Sequence, residues 1–521
     1  MWIMRIIGFH LADKILVNSD GESCSEDYLG FLLKDKGECI KVFYSLDWAV
    51  ARLCYLLNLT EKQLRSLWST GNLYANGYKL FYVPHRYFGL SYGKHWGEAS
   101  FSDIFQFNVD LSYDVEPLDA AKKAAEIGEV VYSTLTKLGF SPKSLSSPVA
   151  TLQKEIISTI DLPTIDDIPD EAALYAYRCL HGGWQEAFKI GHWNIVYDYD
   201  LTSAYTYHTS QLLDIRAGHW LKSDKWLPKA TYGFCEGIAR VESNFSPIVY
   251  EGKKSQHTPT GEFPKYLPMN KIKHLYEYGI GKFKVNSAWY WFADQKIQPF
   301  KEVCETLFEW KQYLKGLERD VVKRAMVGLW GKMSEVFYDG ELGKLFNPVW
   351  AAMIESPTQL QVSEFILSNH AQDNVLSIAV DGCMLDKQVD VGDSEAMGKW
   401  RLNTAGPAFV VSSGVGAVQG KQGKGAFTLK YDWLKSQIEA NPEATEYLIS
   451  KQAPVTLGNA LKNNKLNQLG ELEAVDRAVV IGYDLKRIFS GTPQNGGELL
   501  KNQYSSVPVD ISVLQAQEMM M

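Results

Sequence analysis

Two apolar segments that each carry aspartates constrain the fold of this chain most strongly. The segment NIVYDYDLTSAYTYH has the pattern of a strand that runs into a turn or helix start, with Asp198 and Asp200 near the end of the strand. The segment LSIAVDGCMLD places Asp381 in the middle of an apparent buried strand. Because an isolated buried carboxylate is costly, a divalent cation shared by Asp200 and Asp381 would account for both segments. Two simpler explanations are that Asp200 ends a solvated edge strand and that Asp381 caps a turn before Gly382.

Composition excludes some classes of protein and leaves others open. The 521 residues include 53 Lys+Arg and 61 Asp+Glu, and the formal charge of −8 argues against a generally basic nucleic-acid coat. It does not exclude a nucleic-acid enzyme, which needs positive charge only where phosphates lie. The seven cysteines form no C-x-x-C pair, which predicts reduced thiols and a cytoplasmic location. No apolar run reaches the roughly 18 residues of a membrane span, so we expect no membrane partner.

A cationic stretch lies between the two aspartate segments. Residues 301–333 are predicted to be helical with a break near Gly316, and Lys311, Lys315, Arg319 and Lys323 recur at intervals of four. Residues 311–332 contain six basic and two acidic residues. Such a stripe is usually a solvated helix face, but it could also hold a triphosphate. Together with two carboxylates, it supplies the minimal set of groups for two-metal nucleotidyl transfer.

These segments resemble the motifs of family B DNA polymerases, in particular the compact phage- and plasmid-type branch that includes protein-primed enzymes. The first palm motif of that family, D-x-x-S-x-Y-P, reads DLTSAYT from Asp200. The helix motif K-x-x-x-N-S-x-Y-G reads KRAMVGLWG from Lys323, and the second palm motif Y-x-D-T-D-S reads IAVDGC with Asp381 at its second aspartate. LHGGWQEAF, from Leu180, is similar to the Y-x-G-G linker, and YDLKRIF, from Tyr483, is similar to a Lys-Arg element of the thumb.

The resemblance implies a catalytic site for dNTPs. Asp200 and Asp381 would be the catalytic residues and would bind two ions, Mg²⁺ or Mn²⁺, with the carbonyl of Leu201 as a further ligand. Tyr205 would lie beneath the sugar and exclude a 2′-hydroxyl, although core packing is the commoner fate of an aromatic residue. The nucleotide-binding residues implied by the resemblance are Ser203, Tyr205, Lys311, Arg319, Lys323 and Trp330.

The resemblance also implies primed or single-stranded DNA as a partner, with a priming protein or accessory replication proteins as further candidates. The residues assigned to DNA binding are Gly182, Gly183, Lys421, Lys424, Lys486 and Arg487.

The implied fold is a multidomain α+β and α/β protein, in which an RNase H-like exonuclease-type domain precedes a right-hand polymerase palm, fingers and thumb. The expected divisions are an exonuclease-like domain at 1–145, a linker with the Y-x-G-G-like element at 146–190, the first part of the palm at 191–300, fingers at 301–332, the second part of the palm at 333–405, and the thumb and C-terminal tail at 406–521.

The exonuclease-like domain departs from the family at its first motif. The opening strand should end in D-x-E, but IIGFHLADK offers His10 and Ala12. Three acids, Asp47, Asp103 and Glu129, are candidates for later acidic positions of a vestigial exonuclease site. A two-metal nuclease without its first carboxylate pair binds metal poorly, so we expect no proofreading.

Further departures keep other functions open. Val327 and Gly328 replace the Asn-Ser of the helix motif, Ala379 replaces the first aspartate of the second palm motif, and the thumb-side K-x-Y element is not evident. The alternatives to a DNA polymerase are therefore a catalytically reduced polymerase-like protein that binds nucleic acid or a partner, and a template-independent or self-priming nucleotidyltransferase.

Overall fold

The structure is a computed structural model. It describes residues 5–12, 15–33, 39–43, 60, 72–75, 78–82, 116–137, 139, 148–253, 255–336, 340–392, 395–420, 429–455, 463, 465, 468, 472–484 and 486–519. The chain forms two compact units: residues 1–159, 309–329 and 449–477 make the first, and residues 160–308, 330–448 and 478–521 make the second.

The strands of the described residues carry the apolar and β-branched segments of the sequence. They are β1 (Arg5–Ala12), β2 (Ile15–Asn18), β3 (Ser23–Cys24), β4 (Cys39–Phe43), β5 (Asn72–Ala75), β6 (Tyr78–Tyr82), β7 (Gln185–Ala187), β8 (Lys189–Leu201), β9 (Gly218–Ser223), β10 (Tyr232–Val241), β11 (Tyr250–Glu251), β12 (Gln256–His257), β13 (Gly261–Pro268), β14 (Gly281–Ala293), β15 (Val375–Ala379), β16 (Gly382–Leu385), β17 (Trp400–Ser412), β18 (Val415–Val418), β19 (Glu446–Pro454), β20 (Leu472–Val480), β21 (Arg487–Phe489) and β22 (Gln503–Pro508).

The helices of the described residues occur singly and in runs of up to three between these strands. They are α1 (Tyr28–Leu33), α2 (Pro117–Lys137), α3 (Pro148–Thr159), α4 (Asp170–Arg178), α5 (Ala204–Ser210), α6 (Met269–Glu277), α7 (Lys301–Tyr313), α8 (Gly316–Met333), α9 (Pro348–Ser368), α10 (Tyr431–Ala440), α11 (Gly496–Lys501) and α12 (Ile511–Met519). Among the described residues, no helix has both the length and the apolar character that a bilayer span requires.

The first unit contains a four-stranded sheet in the order β3-β2-β1-β4. Strand β1 pairs antiparallel with β2 and parallel with β4. Helix α2 packs on β1 at Gly8, where a Cβ atom would lie 1.8 Å from the carbonyl oxygen of Ala121. Only glycine permits this close approach of helix and strand.

The second unit is built on a larger antiparallel sheet. Its strands follow the order β18-β17-β8-β16-β15-β7, and β22 joins the start of β8 and pairs with β21. A second sheet, in the order β13-β10-β14-β9, packs its apolar face against α6. The large sheet packs against α9, which is buried along most of its length and contributes Val362, Phe365 and Ile366 to the core. Because β8 lies at the centre of the large sheet, its end is held from both sides.

Local signals explain where α9 and α8 begin. The side chain of Asn347 accepts a hydrogen bond from the backbone N–H of Trp350 at 3.1 Å, and Pro348 occupies the first turn of α9. Gly316, with φ of +54°, begins α8 after α7 has ended at Tyr313. The predicted break in the 301–333 helical region is therefore confirmed.

The predicted domain boundaries meet the strands in different ways. The boundary before 301 coincides with the start of α7, and the boundary at 332 lies one residue before the end of α8. The boundaries at 190 and 405, however, fall inside β8 and β17, which belong to one sheet. The division at 145 lies outside the described residues.

Candidate active site

Asp200 lies at the end of the central strand of the large sheet. It is opposite Gly382 of β16 on one side and Arg401 of β17 on the other. Its side chain is 21% exposed, whereas Asp198, two residues earlier, is completely buried. Strand β8 ends at Leu201 and helix α5 begins at Ala204. The predicted strand with acids near its end, followed by a helix start, is therefore confirmed.

Asp381 occupies a turn, and the prediction that it interrupts a continuous strand is wrong. Strands β15 and β16 form a hairpin in which Ala379 pairs with Gly382, so Val380 and Asp381 form the two-residue turn. Val380 has φ of +64°, a conformation that is strained for a β-branched residue and that two-residue hairpins demand. The turn explanation of Asp381 before Gly382 is therefore confirmed.

The turn brings Asp381 to the end of β8. The backbone N–H of Leu201 donates to the carbonyl of Asp381 at 2.9 Å, and Asp200 is the register partner of Gly382. Two aspartates that are 181 positions apart in the sequence thus come from adjacent backbone segments at one edge of the sheet.

The segment after Asp200 places an aromatic ring beside this edge. Ser203 adopts φ of +53° and ψ of +47°, a left-handed conformation that turns the chain from β8 into α5. The ring centroid of Tyr205 lies 5.3 Å from that of Trp330, whose indole N–H donates to the carbonyl of Ala351 at 3.3 Å. Burial raises the pKa of Tyr205, and the charge of Asp381 raises it further, so the phenol stays protonated.

The Gly-Gly element lies against the turn that carries Asp381. The backbone N–H of Val380 donates to the carbonyl of Trp184 at 2.7 Å. A Cβ atom on Gly183 would lie 2.7 Å from a methyl carbon of Val380, and Gly182 has φ of +78°. Both glycines are therefore required by the backbone path and by close packing.

A buried polar network, which the sequence reading missed, holds the Gly-Gly element. The carboxylate of Glu355 accepts the backbone N–H groups of His181 and Gly182, both at 2.9 Å. Gln359 donates to the carbonyl of Gly182 at 2.6 Å and accepts from the ammonium of Lys271 at 2.5 Å. One sequence feature could have indicated this network: Glu355 and Gln359 are polar, lie four residues apart and interrupt the largely apolar segment of α9.

Burial sets the charge behaviour of this network. Glu355 is 3% and Lys271 1% exposed. Burial raises the pKa of Glu355 and lowers the pKa of Lys271, while each charge favours the ionised form of the other.

A cleft of about 750 Å³ opens beside the network. Aromatic residues Tyr266 and Trp330 and basic residues Arg178 and Lys265 contribute to its lining. Burial, helped by the charge of Lys271, lowers the pKa of Lys265 to about 8. The cleft therefore combines apolar rings and two cationic groups with the carboxylates of Glu236, Glu251 and Glu355.

The predicted cationic stripe is interrupted. Lys311 lies on α7, whereas Arg319 and Lys323 lie on α8, and the helix break before Gly316 separates them. The expectation that Lys311 continues the i+4 face of Arg319 and Lys323 is therefore wrong. Arg319 and Lys323 are exposed and remain one turn apart on α8.

The predicted DNA-binding residues near the C terminus lie in contrasting environments. The guanidinium of Arg487 is buried and donates to Glu186 at 2.8 Å, to Ser506 at 2.8 Å and to the carbonyl of Asn244 at 3.0 Å. These contacts favour a structural role for Arg487 over a DNA contact. Lys486 donates to the carbonyl of Gln185 at 2.6 Å, and Lys421 and Lys424 lie outside the described residues.

The candidate exonuclease positions are only partly described. His10 lies in β1 and is 9% exposed, burial lowers its pKa to about 4, and Ala12 ends the strand. Glu129 is exposed on α2. Asp47 and Asp103 lie outside the described residues.

The oxygen donors at the end of β8 suit a hard divalent cation. The carboxylates of Asp200 and Asp381 and the carbonyl of Leu201 are ligands of the type that Mg²⁺ and Mn²⁺ prefer. Within the described ranges, no group of three or more His, Cys, Asp and Glu side chains is placed to hold a metal ion. Ala379 supplies no carboxylate, and the Asp200 carboxylate accepts a hydrogen bond from Arg401 at 3.1 Å.

Comparison with known proteins identifies the fold. No protein-family model matches the sequence, and no curated protein matches it. The structure is similar to phi29 DNA polymerase in its orthorhombic crystal form, with a TM-score of 0.64 and 12% identity over 92% of this chain and 100% of that chain. Similar values hold for phi29 DNA polymerase with primer-template DNA, with a TM-score of 0.63, 12% identity and coverage of 92% and 100%. For its ternary complex with primer-template DNA and incoming nucleotide substrates, the TM-score is 0.61, with 12% identity and coverage of 92% and 99%.

The likeness extends over nearly the whole of both chains. It confirms the resemblance to protein-primed family B polymerases at the level of fold, and it fits the predicted multidomain polymerase fold. At 12% identity it assigns the fold alone.

Proposed function

We propose that this chain is a DNA-directed DNA polymerase that adds dNTPs to a DNA 3′ end by two-metal nucleotidyl transfer. The observation that carries the proposal is the meeting of Asp200 and Asp381 at the end of β8, marked by the 2.9 Å hydrogen bond from Leu201 to Asp381. The fold likeness to phi29 DNA polymerase over 92% of the chain supports it.

Asp200, Asp381 and the Leu201 carbonyl would hold the divalent ions, Mg²⁺ or Mn²⁺. When bound, such ions lower the pKa of an attacking hydroxyl and stabilise the charge on the transferred phosphate. The two carboxylates stay in place because one ends the central strand and the other lies in a hairpin turn packed against Gly183.

Tyr205 would form the floor of the sugar site. Its ring is held against Trp330, and its pKa is raised, so it would present a neutral, rigid surface that leaves no room for a 2′-hydroxyl. Ser203 and Trp330 would complete the nucleotide pocket. That Lys311, Arg319 and Lys323 bind a triphosphate through charge-assisted contacts stays a proposal from the resemblance alone.

The cleft beside Gly182 would take a DNA strand. Stacking on Tyr266 and Trp330 would hold bases without reading sequence. Arg178 and Lys265 would attract phosphates, against the carboxylates of Glu236, Glu251 and Glu355 in the same lining. The phi29 DNA polymerase structures with primer-template DNA support DNA as the class of partner. A priming protein and accessory replication proteins remain part of the proposal.

The proposal includes the domain division that the sequence implies. Residues 191–300 and 333–405 would form the palm, and β17, β18 and β22 extend that sheet beyond residue 405. Residues 301–332 would form the fingers, and the remaining C-terminal residues the thumb. The N-terminal domain would be RNase H-like and without proofreading, because its first strand presents His10 and Ala12 where carboxylates are needed.

A catalytically reduced, DNA-binding protein is the second candidate. The specific observations that favour it are the ion pair between Arg401 and Asp200 and the alanine at position 379. A template-independent nucleotidyltransferase would share the catalytic site of the polymerase and differ in its use of DNA.

One assay separates these functions. The protein is incubated with Mg²⁺ or Mn²⁺ and labelled dNTPs, with a primed template, with a primer alone and without DNA. We expect incorporation that follows the template sequence and no shortening of a labelled single-stranded primer when dNTPs are omitted. Untemplated addition would indicate a terminal transferase, no incorporation would indicate the binding protein, and primer shortening would contradict the loss of proofreading.

A further inference from the structure

Arg401 makes an ion pair with one of the two candidate catalytic carboxylates. Its terminal nitrogen, Nη2, lies 3.1 Å from Oδ2 of Asp200, and the two side chains are 49% and 21% exposed. Because the guanidinium keeps its charge at every accessible pH, this contact places a permanent positive charge beside Asp200.

The backbone fixes the position of Arg401. Strand β17 pairs with β8 so that Trp400 lies opposite Leu201 and Arg401 opposite Asp200. Directly opposed residues of antiparallel strands share one face of the sheet, so the two side chains meet.

Two neighbouring contacts prevent a shift in register. The ring of Trp400 stacks on that of Phe365 with centroids 4.1 Å apart. The backbone N–H of Thr202 also donates to the carbonyl of Lys399 at 2.9 Å. A slip of one residue would break both contacts and move Arg401 to the other face.

The positive charge of Arg401 changes the net charge that a cation would meet at the end of β8. The turn that carries Asp381 has Ala379 instead of a further aspartate, and Asp198 is completely buried, so the carboxylates that the site would offer a cation are Asp200 and Asp381. The guanidinium neutralises one of their two negative charges. A divalent cation that approaches Asp200 therefore meets both a reduced attraction and a competing ligand of the same carboxylate.

We propose that Arg401 is an internal counter-ion that a divalent cation must displace from Asp200, and that this residue sets the metal affinity of the site. The proposal rests on the proposed function for the identification of Asp200 as a metal ligand. Because the pair is half exposed, it is weak enough for a divalent ion to displace, and its loss should tighten metal binding about three- to tenfold.

The test is a Mn²⁺ titration of the full chain by electron paramagnetic resonance, without DNA or nucleotide. Arg401→Gln should bind Mn²⁺ about three- to tenfold more tightly than the unmodified protein. Lys399→Gln, which removes one positive charge two residues away, is the matched control and should leave the affinity within about twofold. Asp200→Asn should weaken binding strongly.

Arg401→Lys tests whether charge is the cause. The lysine keeps the positive charge and should keep the affinity close to that of the unmodified protein. The inference is overturned if Arg401→Gln binds no more tightly, if Lys399→Gln tightens binding equally, or if Arg401→Lys behaves like Arg401→Gln.

Failure of this inference and failure of the proposed function give different results. If Arg401→Gln binds Mn²⁺ more tightly but the protein incorporates no dNTP, the counter-ion role of Arg401 is supported and the polymerase function is rejected. If the unmodified protein incorporates dNTPs as the template directs but Arg401→Gln binds Mn²⁺ with unchanged affinity, the polymerase function is supported and the counter-ion role of Arg401 is rejected.

Discussion

The ends of two strands, β1 in the first unit and β8 in the second, differ in the side chains that they carry. Asp200 is the last residue but one of β8, is partly exposed and lies beside the Asp381 turn. Strand β1 carries the buried His10 near its end and finishes at Ala12. The end of β8 carries oxygen groups of the kind that bind a divalent cation, whereas the end of β1 carries an imidazole and a methyl group. A likeness in fold therefore does not by itself assign chemistry to either strand end.

The buried network of Glu355, Gln359 and Lys271 holds the Gly-Gly element that packs against the Asp381 turn. Its disruption should have the largest effect on stability. Lys271→Met should lower the free energy of unfolding of the second unit by about 3 kcal/mol, because it removes the buried ammonium that donates to Gln359 and whose charge favours ionised Glu355. The measurement is the urea midpoint followed by tryptophan fluorescence. Lys273→Met, at an exposed position two residues later on α6, is the matched control and should change stability by less than about 0.5 kcal/mol. Equal effects of the two variants would show that the network is not a support.

Sugar selection tests the aromatic floor at the same edge. Tyr205→Ala should reduce the preference for dNTPs over ribonucleotides by about a hundredfold, because the ring that would block a 2′-hydroxyl is removed. The ratio of kcat/KM for the two nucleotides measures the effect. Tyr205→Phe keeps the ring and should keep the preference, so a loss of selectivity in this variant would assign the block to the hydroxyl instead.

The sequence predicted the local structure around Asp200, because the strand that ends at Leu201 and the helix that starts at Ala204 follow a contiguous pattern. The roles of Leu201, Ser203 and Tyr205 come from the resemblance to the first palm motif and stay predictions. The break at Gly316 was also predictable, since glycine readily adopts the left-handed conformation found there.

Other parts depend on contacts that no local pattern encodes. The apolar neighbours of Asp381 favour a strand while Gly382 allows a turn, and the pairing of Ala379 with Gly382 decides for the turn. The ion pair of Arg401 with Asp200 requires the register between β17 and β8. The contact of Glu355 with Gly182 joins residues 173 positions apart. Non-local strand and helix packing decides each of these cases.

Primer extension by the Asp200→Asn and Asp381→Asn variants tests the central claim most directly. Each substitution keeps the side-chain size and removes the negative charge that would hold a divalent ion. Asp224→Asn, at an exposed position after β9, makes the same chemical change elsewhere and serves as the control. We predict that each of the first two variants loses template-directed dNTP incorporation by roughly a thousandfold or more while its circular dichroism spectrum is unchanged, and that Asp224→Asn retains activity. Incorporation by either Asp200→Asn or Asp381→Asn at a rate close to that of the unmodified protein would contradict the assignment of the active site to the end of β8.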